Sequence, residues 1–224
     1  MDLRLGFYGD DFTGSTDALE ALSAAGLRTV LFIEPPTAQQ LARFPGLEAI
    51  GVAGRTRSLA TGDISAELRP IFARFAELGC PLVHYKTCST FDSSPEVGSI
   101  GRAIDVGQEI FASPFVPLVV GAPVLQRFCV FGNLFARSGL DSEIFRLDRH
   151  PTMHQHPVTP MHEADLRLHL GRQTERQIGL FDVQALALSQ REREVALDAL
   201  LAEGAEIVLF DVLTDEHLQR IGQL

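Results

Sequence analysis

The sequence lacks any long hydrophobic stretch, and it contains few cysteines. No apolar run approaches the ~20 residues that cross a membrane, and the amino terminus shows no basic region followed by a cleavable apolar segment. The three cysteines, Cys80, Cys88 and Cys129, include no CxxC pair, so neither a disulfide framework nor a zinc knuckle is indicated. We therefore expect a cytoplasmic chain with reduced thiols and no membrane partner.

Basic residues and cofactor motifs are also scarce. The chain has 19 Lys+Arg against 29 Asp+Glu, a formal net charge of −10, which disfavours a nucleic-acid partner. It contains neither GxxxxGK[ST] nor GxGxxG, so no pattern in it indicates a nucleotide site. Four histidines fall within 150–162, but prolines interrupt them and their spacing is not that of a helical metal site. We therefore expect no bound metal.

The sequence does have enough hydrophobic residues, 46%, for a real core, and 224 residues suit one large α/β domain or two small ones. We expect a single α/β domain over 1–224. Apolar runs alternate with helical patterns, which is typical of a mostly parallel sheet with helices on both faces, a Rossmann-like three-layer fold. The runs cover 3–8, 29–33, 49–53, 82–85, 115–120 and 207–210. Pro70 interrupts the helical pattern at 64–78, which predicts a kink or a late start. Residues 126–146 predict a hairpin insertion that turns at Gly132-Asn133.

Two adjacent carboxylates follow the first apolar run. The segment 9–16 reads Gly-Asp-Asp-Phe-Thr-Gly-Ser-Thr, so Asp10 and Asp11 lie where a strand of an open α/β sheet delivers functional groups. Ser15 or Thr16 can cap the helix that follows, and its free N–H groups suit an anionic or hydroxylated ligand. The alternative is an ordinary tight turn in which one aspartate is only a cap.

The only lysine of the chain opens a second polar cluster, Lys86–Ser94, directly after the fourth run. A cation, several hydroxyls and a carboxylate match the needs of a polyol acid, although a Ser/Thr-rich loop capping the next helix is the alternative. Arg55 and Arg57 follow the third run, where a guanidinium could bind a carboxylate or lie solvated on the surface. Cys88 could serve a hydrolase, but the sequence assigns no base to it and a buried thiol is the simpler interpretation.

Four motifs, taken in order, resemble the N-terminal domain of the four-carbon acid sugar kinase family, and most closely its 3-oxo-tetronate kinase branch. They are Gly-Asp-Asp-Phe-Thr-Gly at 9–14, Thr-Arg-Ser at 56–58, the cluster at 86–94, and His-Pro-Val-Thr-Pro-Met at 156–161. The resemblance implies phosphorylation of a small sugar acid with ATP and Mg. Threonate, erythronate, a 3-oxo-tetronate and 3-oxo-isoapionate are the candidate acids.

The resemblance also implies roles for single residues. It implies a place around the acid for six residues: Asp10, Asp11, Arg57, Lys86, Ser89 and Thr90. We expect catalytic roles for the two aspartates and acid-binding roles for the other four, together with Thr13 of the 9–16 segment. Family members are about twice as long, so we expect the C-terminal, nucleotide-binding domain to be absent from this chain and to act in cis or as a separate chain. A homodimer and a stand-alone, non-catalytic sugar-acid-binding module both stay open.

Overall fold

A computed structural model describes residues 2–139 and 142–224. The chain divides into two compact units. The first unit contains the residues up to Cys88 together with Pro95–Ala112, and the second contains Ser89–Ser94 and the residues from Ser113 onward. That the two units form the single domain expected over 1–224 stays a prediction. Each unit is described by itself.

The first unit is a parallel sheet with helices. Its strands are β1 (Leu5–Gly9), β2 (Thr29–Phe32), β3 (Ala49–Ala53) and β4 (Val83–Lys86). Its helices are α1 (Phe12–Ala24), α2 (Ala38–Leu41), α3 (Thr61–Glu77) and α4 (Ile100–Phe111). The strand order is β2-β3-β1-β4, and every neighbouring pair is parallel. All four carboxyl ends therefore meet at one edge of the sheet.

Helices cover both faces of this sheet. A Cβ on Gly6 would lie 2.9 Å from Phe75 Cγ of α3, whereas a Cβ on Gly9 would lie 2.1 Å from Ser15 Oγ of α1. Because side chains alternate along a strand, residues 6 and 9 point to opposite faces, and so α1 and α3 lie on opposite faces. The ends of β1 and β3 therefore flank the crevice at which open α/β sheets bind ligands.

The second unit holds two further sheets. Its strands are β5 (Val116–Val119), β6 (Arg127–Val130), β7 (Asn133–Arg137), β8 (Ile144–Arg146), β9 (Ile178–Phe181) and β10 (Ile207–Phe210). Its helices are α5 (Leu166–Leu170), α6 (Val183–Leu186), α7 (Gln190–Ala202) and α8 (Asp215–Ile221). The order β5-β10-β9 is parallel, and β6-β7-β8 is antiparallel. The α/β class and the six predicted strands are confirmed, but the parallel strands form two sheets rather than one.

The predicted hairpin is present, with its turn shifted by one residue. Val130 pairs with Asn133, so the two-residue loop is Phe131-Gly132 and not Gly132-Asn133. Both loop residues have positive φ, 50° and 77°, as a type I′ turn requires. Residues 140 and 141 of the predicted range lie outside the described residues.

Two other details differ from expectation. Helix α3 runs through Pro70 from Thr61, so the predicted late start is wrong. Strand β9 was not predicted, because Ile178-Gly-Leu-Phe is short and contains a glycine. Within the described residues, no helix is long and apolar enough to cross a membrane.

Candidate functional site

The two predicted aspartates lie at the carboxyl end of β1. Asp10 follows the last residue of the strand, and Asp11 is the N-cap of α1, with one carboxylate oxygen accepting a 2.6 Å hydrogen bond from the Gly14 N–H. The expectation that Ser15 or Thr16 caps this helix is wrong. The helix begins one turn earlier, and Ser15 Oγ instead donates to the Asp11 carbonyl at 2.6 Å.

Arg57 joins both carboxylates. It lies in a three-residue turn, Thr56–Ser58, that follows β3. Its Nε and Nη2 donate to the two oxygens of Asp10 at 3.2 and 2.6 Å, and its Nη1 donates to Asp11 Oδ2 at 2.7 Å. Its backbone N–H also donates to the Asp10 carbonyl at 3.0 Å. Three of the five guanidinium N–H groups are therefore committed to the aspartates.

Burial sets the electrostatics of this cluster. The Asp10 side chain is 2% exposed, while those of Arg57 and Asp11 are 25% and 30% exposed. Burial raises the pKa of Asp10 above its ordinary value, and the hydrogen bonds and charge of Arg57 oppose that rise. Burial alone would lower the pKa of Arg57, but its hydrogen bonds and charge interaction with Asp10 raise it overall. Arg57 therefore stays charged at every accessible pH.

Lys86 ends β4, the strand beside β1, and pairs in register with Gly9. Its Nζ donates to the Thr87 carbonyl at 2.9 Å. A Cβ on Gly14 would lie 2.9 Å from this Nζ and 2.8 Å from Asp11 Oδ1, so glycine lets the ammonium approach the first turn of α1. Within 2–139 and 142–224, no carboxylate forms an ion pair with Lys86. Its ammonium therefore keeps donors for another acceptor.

The structure brings together four of the seven residues predicted for the site. Asp10, Asp11, Arg57 and Lys86 gather at one edge of the first unit. Thr13 lies in the exposed first turn of α1, where its carbonyl accepts from Thr16 Oγ1 at 2.8 Å. Ser89 and Thr90 belong to the second unit, and Thr90 Oγ1 donates to Asp92 Oδ1 at 2.8 Å. Their participation in this site stays a prediction.

An open cleft of ≈ 420 Å³ lies at the same edge of the first unit. Ile33 and Glu34 line it beyond β2, Gly54 and Arg55 beyond β3, and Phe12 at the start of α1. Arg55 also pairs with Glu67 at 3.3 Å, so it is not a free guanidinium. The volume of the cleft falls within the ~300–1,000 Å³ that is typical of small-molecule sites, but none of the four gathered residues lines it.

The end of the 86–94 segment is held inside the second unit. Ser93 Oγ donates to the Phe91 carbonyl at 2.9 Å and lies 3.0 Å from both His169 Nε2 and Gln173 Nε2. Because the hydroxyl hydrogen goes to Phe91, both nitrogens must donate to Ser93. Burial, with the charge of Arg172, lowers the pKa of His169 to about 4. The Ser93 hydroxyl therefore donates one hydrogen bond and accepts two, which gives it a structural role and not that of an activated nucleophile.

Two supporting residues, Tyr8 and Tyr85, were not predicted; their hydroxyls contact the chain at 55 and 56 that leads into Arg57. The available signal was composition, because these are the only two tyrosines of the chain. Among the residues that the structure describes, no group of three or more His, Cys, Asp or Glu is arranged to hold a metal ion.

The chain is similar to known proteins along almost its whole length. Residues 5–224 match a family described as a sugar-binding N-terminal domain. A 3-oxo-isoapionate kinase of Paraburkholderia graminis is 53% identical over 222 residues, which are 99% of this chain and 46% of that kinase. A 3-oxo-tetronate kinase of Methylobacterium radiotolerans is 34% identical over 224 residues, 100% of this chain and 50% of the kinase. The chain spans about half the length of these curated relatives.

Solved structures share the fold. A protein from Salmonella typhimurium LT2 superposes with a TM-score of 0.89 at 29% identity, covering 100% of this chain and 51% of that chain. A Bordetella bronchiseptica protein, crystallised with bound citrate as a domain-swapped dimer, gives a TM-score of 0.75 at 24% identity, with coverage of 100% and 51%.

Proposed function

The chain belongs to the sugar-binding N-terminal domain family, and on that premise we propose that it is the acid-binding part of a kinase for a small sugar acid. Its relatives bear out the resemblance to four-carbon acid sugar kinases. The observation that carries the proposal is Lys86, a cation beside the Asp10–Arg57–Asp11 cluster that forms no ion pair with any carboxylate of the described residues. A 3-oxo sugar acid is our first candidate, and 3-oxo-isoapionate is favoured because the relative that acts on it by name is 53% identical.

Lys86 and Arg57 take different parts in this proposal. Lys86 binds the substrate carboxylate, since its ammonium lies at the first turn of α1 with donors to spare. Arg57 is already bound to two carboxylates, so its first task is to hold the aspartates in place. Thr13, in the exposed first turn of α1, supplies a hydroxyl for the hydroxyl groups of the acid.

The two aspartates are also unequal. Asp10 is almost fully buried and bound through both oxygens, whereas Asp11 is partly exposed at the start of α1. We assign to Asp11 the orientation of the hydroxyl that accepts the phosphoryl group, and to Asp10 the anchoring of Arg57. Phosphoryl transfer depends mainly on positioning and charge neutralisation, and so an oriented hydroxyl is the main contribution this unit can make.

ATP and Mg belong to the proposal at the level of the family only. In the described part of the chain, no cluster of ligands fits a metal ion, and the sequence has no phosphate-binding glycine motif. We therefore assign the nucleotide to a separate nucleotide-binding domain, in cis or on another chain, and derive no step through it. We place the protein in the cytoplasm, without nucleic-acid or membrane partners, and a homodimer is compatible with the swapped dimer of the Bordetella bronchiseptica protein.

Calorimetric titration of the chain with D-erythronate, L-threonate and the uncharged polyol erythritol tests the carboxylate site. Loss of one charge-assisted contact in Lys86→Met should weaken acid binding by roughly 10- to 150-fold and leave polyol binding almost unchanged. Arg69→Met, which removes an exposed cation of α3, is the control and should bind normally. Equal losses for acid and polyol would contradict the assignment of Lys86.

A coupled assay for ADP separates the kinase part from the alternative, a stand-alone binding module. We expect the chain alone to bind acid weakly and produce no ADP, and to produce ADP when it is fused to a nucleotide-binding domain of a relative. Binding without any turnover in the fusion would favour the binding module.

A further inference from the structure

The only two tyrosines of the chain lie side by side beneath the Arg57 turn. Tyr8 of β1 and Tyr85 of β4 are partners in the strand register. Their rings stack with centroids 5.7 Å apart and planes inclined by 14°. The chain uses 15 phenylalanines elsewhere, so an aromatic ring alone does not require tyrosine here. The hydroxyls must therefore account for the choice.

Both hydroxyls contact the backbone and side chain that lead into Arg57. The Arg55 N–H donates to the Tyr8 hydroxyl at 3.1 Å, and the Tyr85 hydroxyl lies 2.7 Å from the buried Thr56 Oγ1. A Cβ on Gly54 would lie 1.9 Å from Tyr8 Cζ, so glycine allows the chain to pass directly over the ring. The three residues before Arg57 are thus held against the tyrosine pair.

The turn is also held from its other sides. The Arg57 N–H donates to the Asp10 carbonyl at 3.0 Å, which ties the turn to the end of β1. Gly98, at φ 64°, lies so close that a Cβ there would be 2.6 Å from the Arg57 carbonyl oxygen. The backbone of Arg57 is fixed in this way, and the hydrogen bonds to Asp10 and Asp11 hold its guanidinium.

We propose that Tyr8 and Tyr85 are positioning residues that set Arg57 and, through it, the orientation of the Asp10–Asp11 pair. This inference rests on the proposed function, because it concerns how the acid site is held in its binding geometry. The hydroxyls act on Arg57 through the chain at 55 and 56 and contact no substrate themselves. Removing the Tyr85 hydroxyl takes away its contact with Thr56 and loosens the turn there, while the stacked ring stays in place.

The test combines Tyr85→Phe with Arg57→Lys in a double-mutant cycle, with D-erythronate as the probe. The chain has no tryptophan, so tyrosine emission comes only from Tyr8 and Tyr85 and reports this site directly. Calorimetry gives the affinity of each variant, and urea unfolding gives its stability. Thr29→Val is the matched control, because it removes a hydroxyl bonded to a backbone carbonyl at the amino end of β2.

Tyr85→Phe should weaken erythronate binding roughly 5-fold in the wild-type background, the effect of one hydrogen bond, and less than ~2-fold in Arg57→Lys. Thr29→Val should lower stability without changing the affinity. An equal effect of Tyr85→Phe in both backgrounds, or no effect on affinity at all, would overturn the positioning role. If the wild-type chain bound none of erythronate, threonate, a 3-oxo-tetronate and 3-oxo-isoapionate, the proposed function would fail first, and this inference with it.

Discussion

Replacing Arg57 by leucine isolates the buried carboxylate of Asp10. That side chain is 2% exposed and accepts two hydrogen bonds from Arg57, so the variant retains a desolvated charge without its partner. Breaking a buried pair in this way costs ~3–5 kcal/mol. We expect the lower end, about 3 kcal/mol of unfolding free energy at pH 7, because Arg57 is partly exposed and Lys86 still favours the ionised form of Asp10.

The loss should depend on pH with a definite sign. Burial already raises the pKa of Asp10, and without Arg57 nothing comparable opposes that rise. A carboxyl with a higher pKa in the folded than in the unfolded chain binds more protons when folded, so stability falls as pH rises between those two pKa values. The deficit of Arg57→Leu should therefore be largest at neutral pH and shrink as the pH falls toward the ordinary pKa of an aspartate.

Two variants make this reasoning testable. Asp10→Asn should cost only about 1 kcal/mol, because Arg57 keeps Asp11 and some contact with water. Adding Asp10→Asn to Arg57→Leu should recover at least half of the loss at pH 7, since the unpaired charge is then gone. Arg69→Leu, which breaks an exposed ion pair, is the control and should cost less than ~1 kcal/mol.

Urea unfolding followed by tyrosine emission measures the first unit, which contains both tyrosines, and far-ultraviolet circular dichroism measures both units. A pH-independent loss in Arg57→Leu, or a double variant less stable than Arg57→Leu alone, would refute the argument from an isolated buried charge.

Three further outcomes are expected. Gly98→Ala should lower the melting temperature and weaken acid binding, because the new Cβ would meet the Arg57 carbonyl at positive φ, whereas Gly62→Ala, which meets nothing within 4 Å, should do neither. The pKa of His169, lowered to about 4, means that stability should fall as the pH drops from ~6.5 toward 4; His169→Gln should flatten that slope, and an unchanged slope would contradict the assignment. Asp211→Asn should lower the free energy of unfolding by ~2 kcal/mol, because the buried carboxylate accepts hydrogen bonds from the N–H groups of Phe131, Gly132 and Val183. A loss below ~0.5 kcal/mol in thermal unfolding would show that these hydrogen bonds do not stabilise the fold.

The sequence predicted the edge on which the site lies, because parallel strands place their carboxyl ends together. Asp10 follows β1 and Lys86 ends β4. Because these two parallel strands are neighbours in the sheet, the two residues lie close together. The partner of Arg57 was not predictable in the same way. A guanidinium in a loop after β3 can point to substrate, solvent or protein, and only the conformation of the Thr56–Ser58 turn decides that it binds the aspartates.

The division of the strands between sheets was likewise beyond the sequence pattern. A buried strand is recognisable from its apolar residues, but its neighbour is chosen by contacts far along the chain, as when β10 at Ile207–Phe210 pairs with β5 at Val116–Val119. The same limit applies to the 86–94 segment. Its composition indicated a polar ligand, whereas the roles of Ser93 and Thr90 depend on partners such as His169 and Asp92.

Arg57 and Lys86 illustrate why two cations at one site are not equivalent. The planar guanidinium offers donors in fixed directions, and the two aspartates use three of them, so Arg57 neutralises charge that the protein itself supplies. The ammonium of Lys86 is a compact charge on a flexible chain, held to the protein through a carbonyl rather than a carboxylate. The formal charges of Asp10, Asp11, Arg57 and Lys86 cancel, so an added carboxylate meets no net repulsion from these four groups. Our proposal assigns that carboxylate to Lys86, whose ammonium forms no ion pair within the described residues and lies at the first turn of α1.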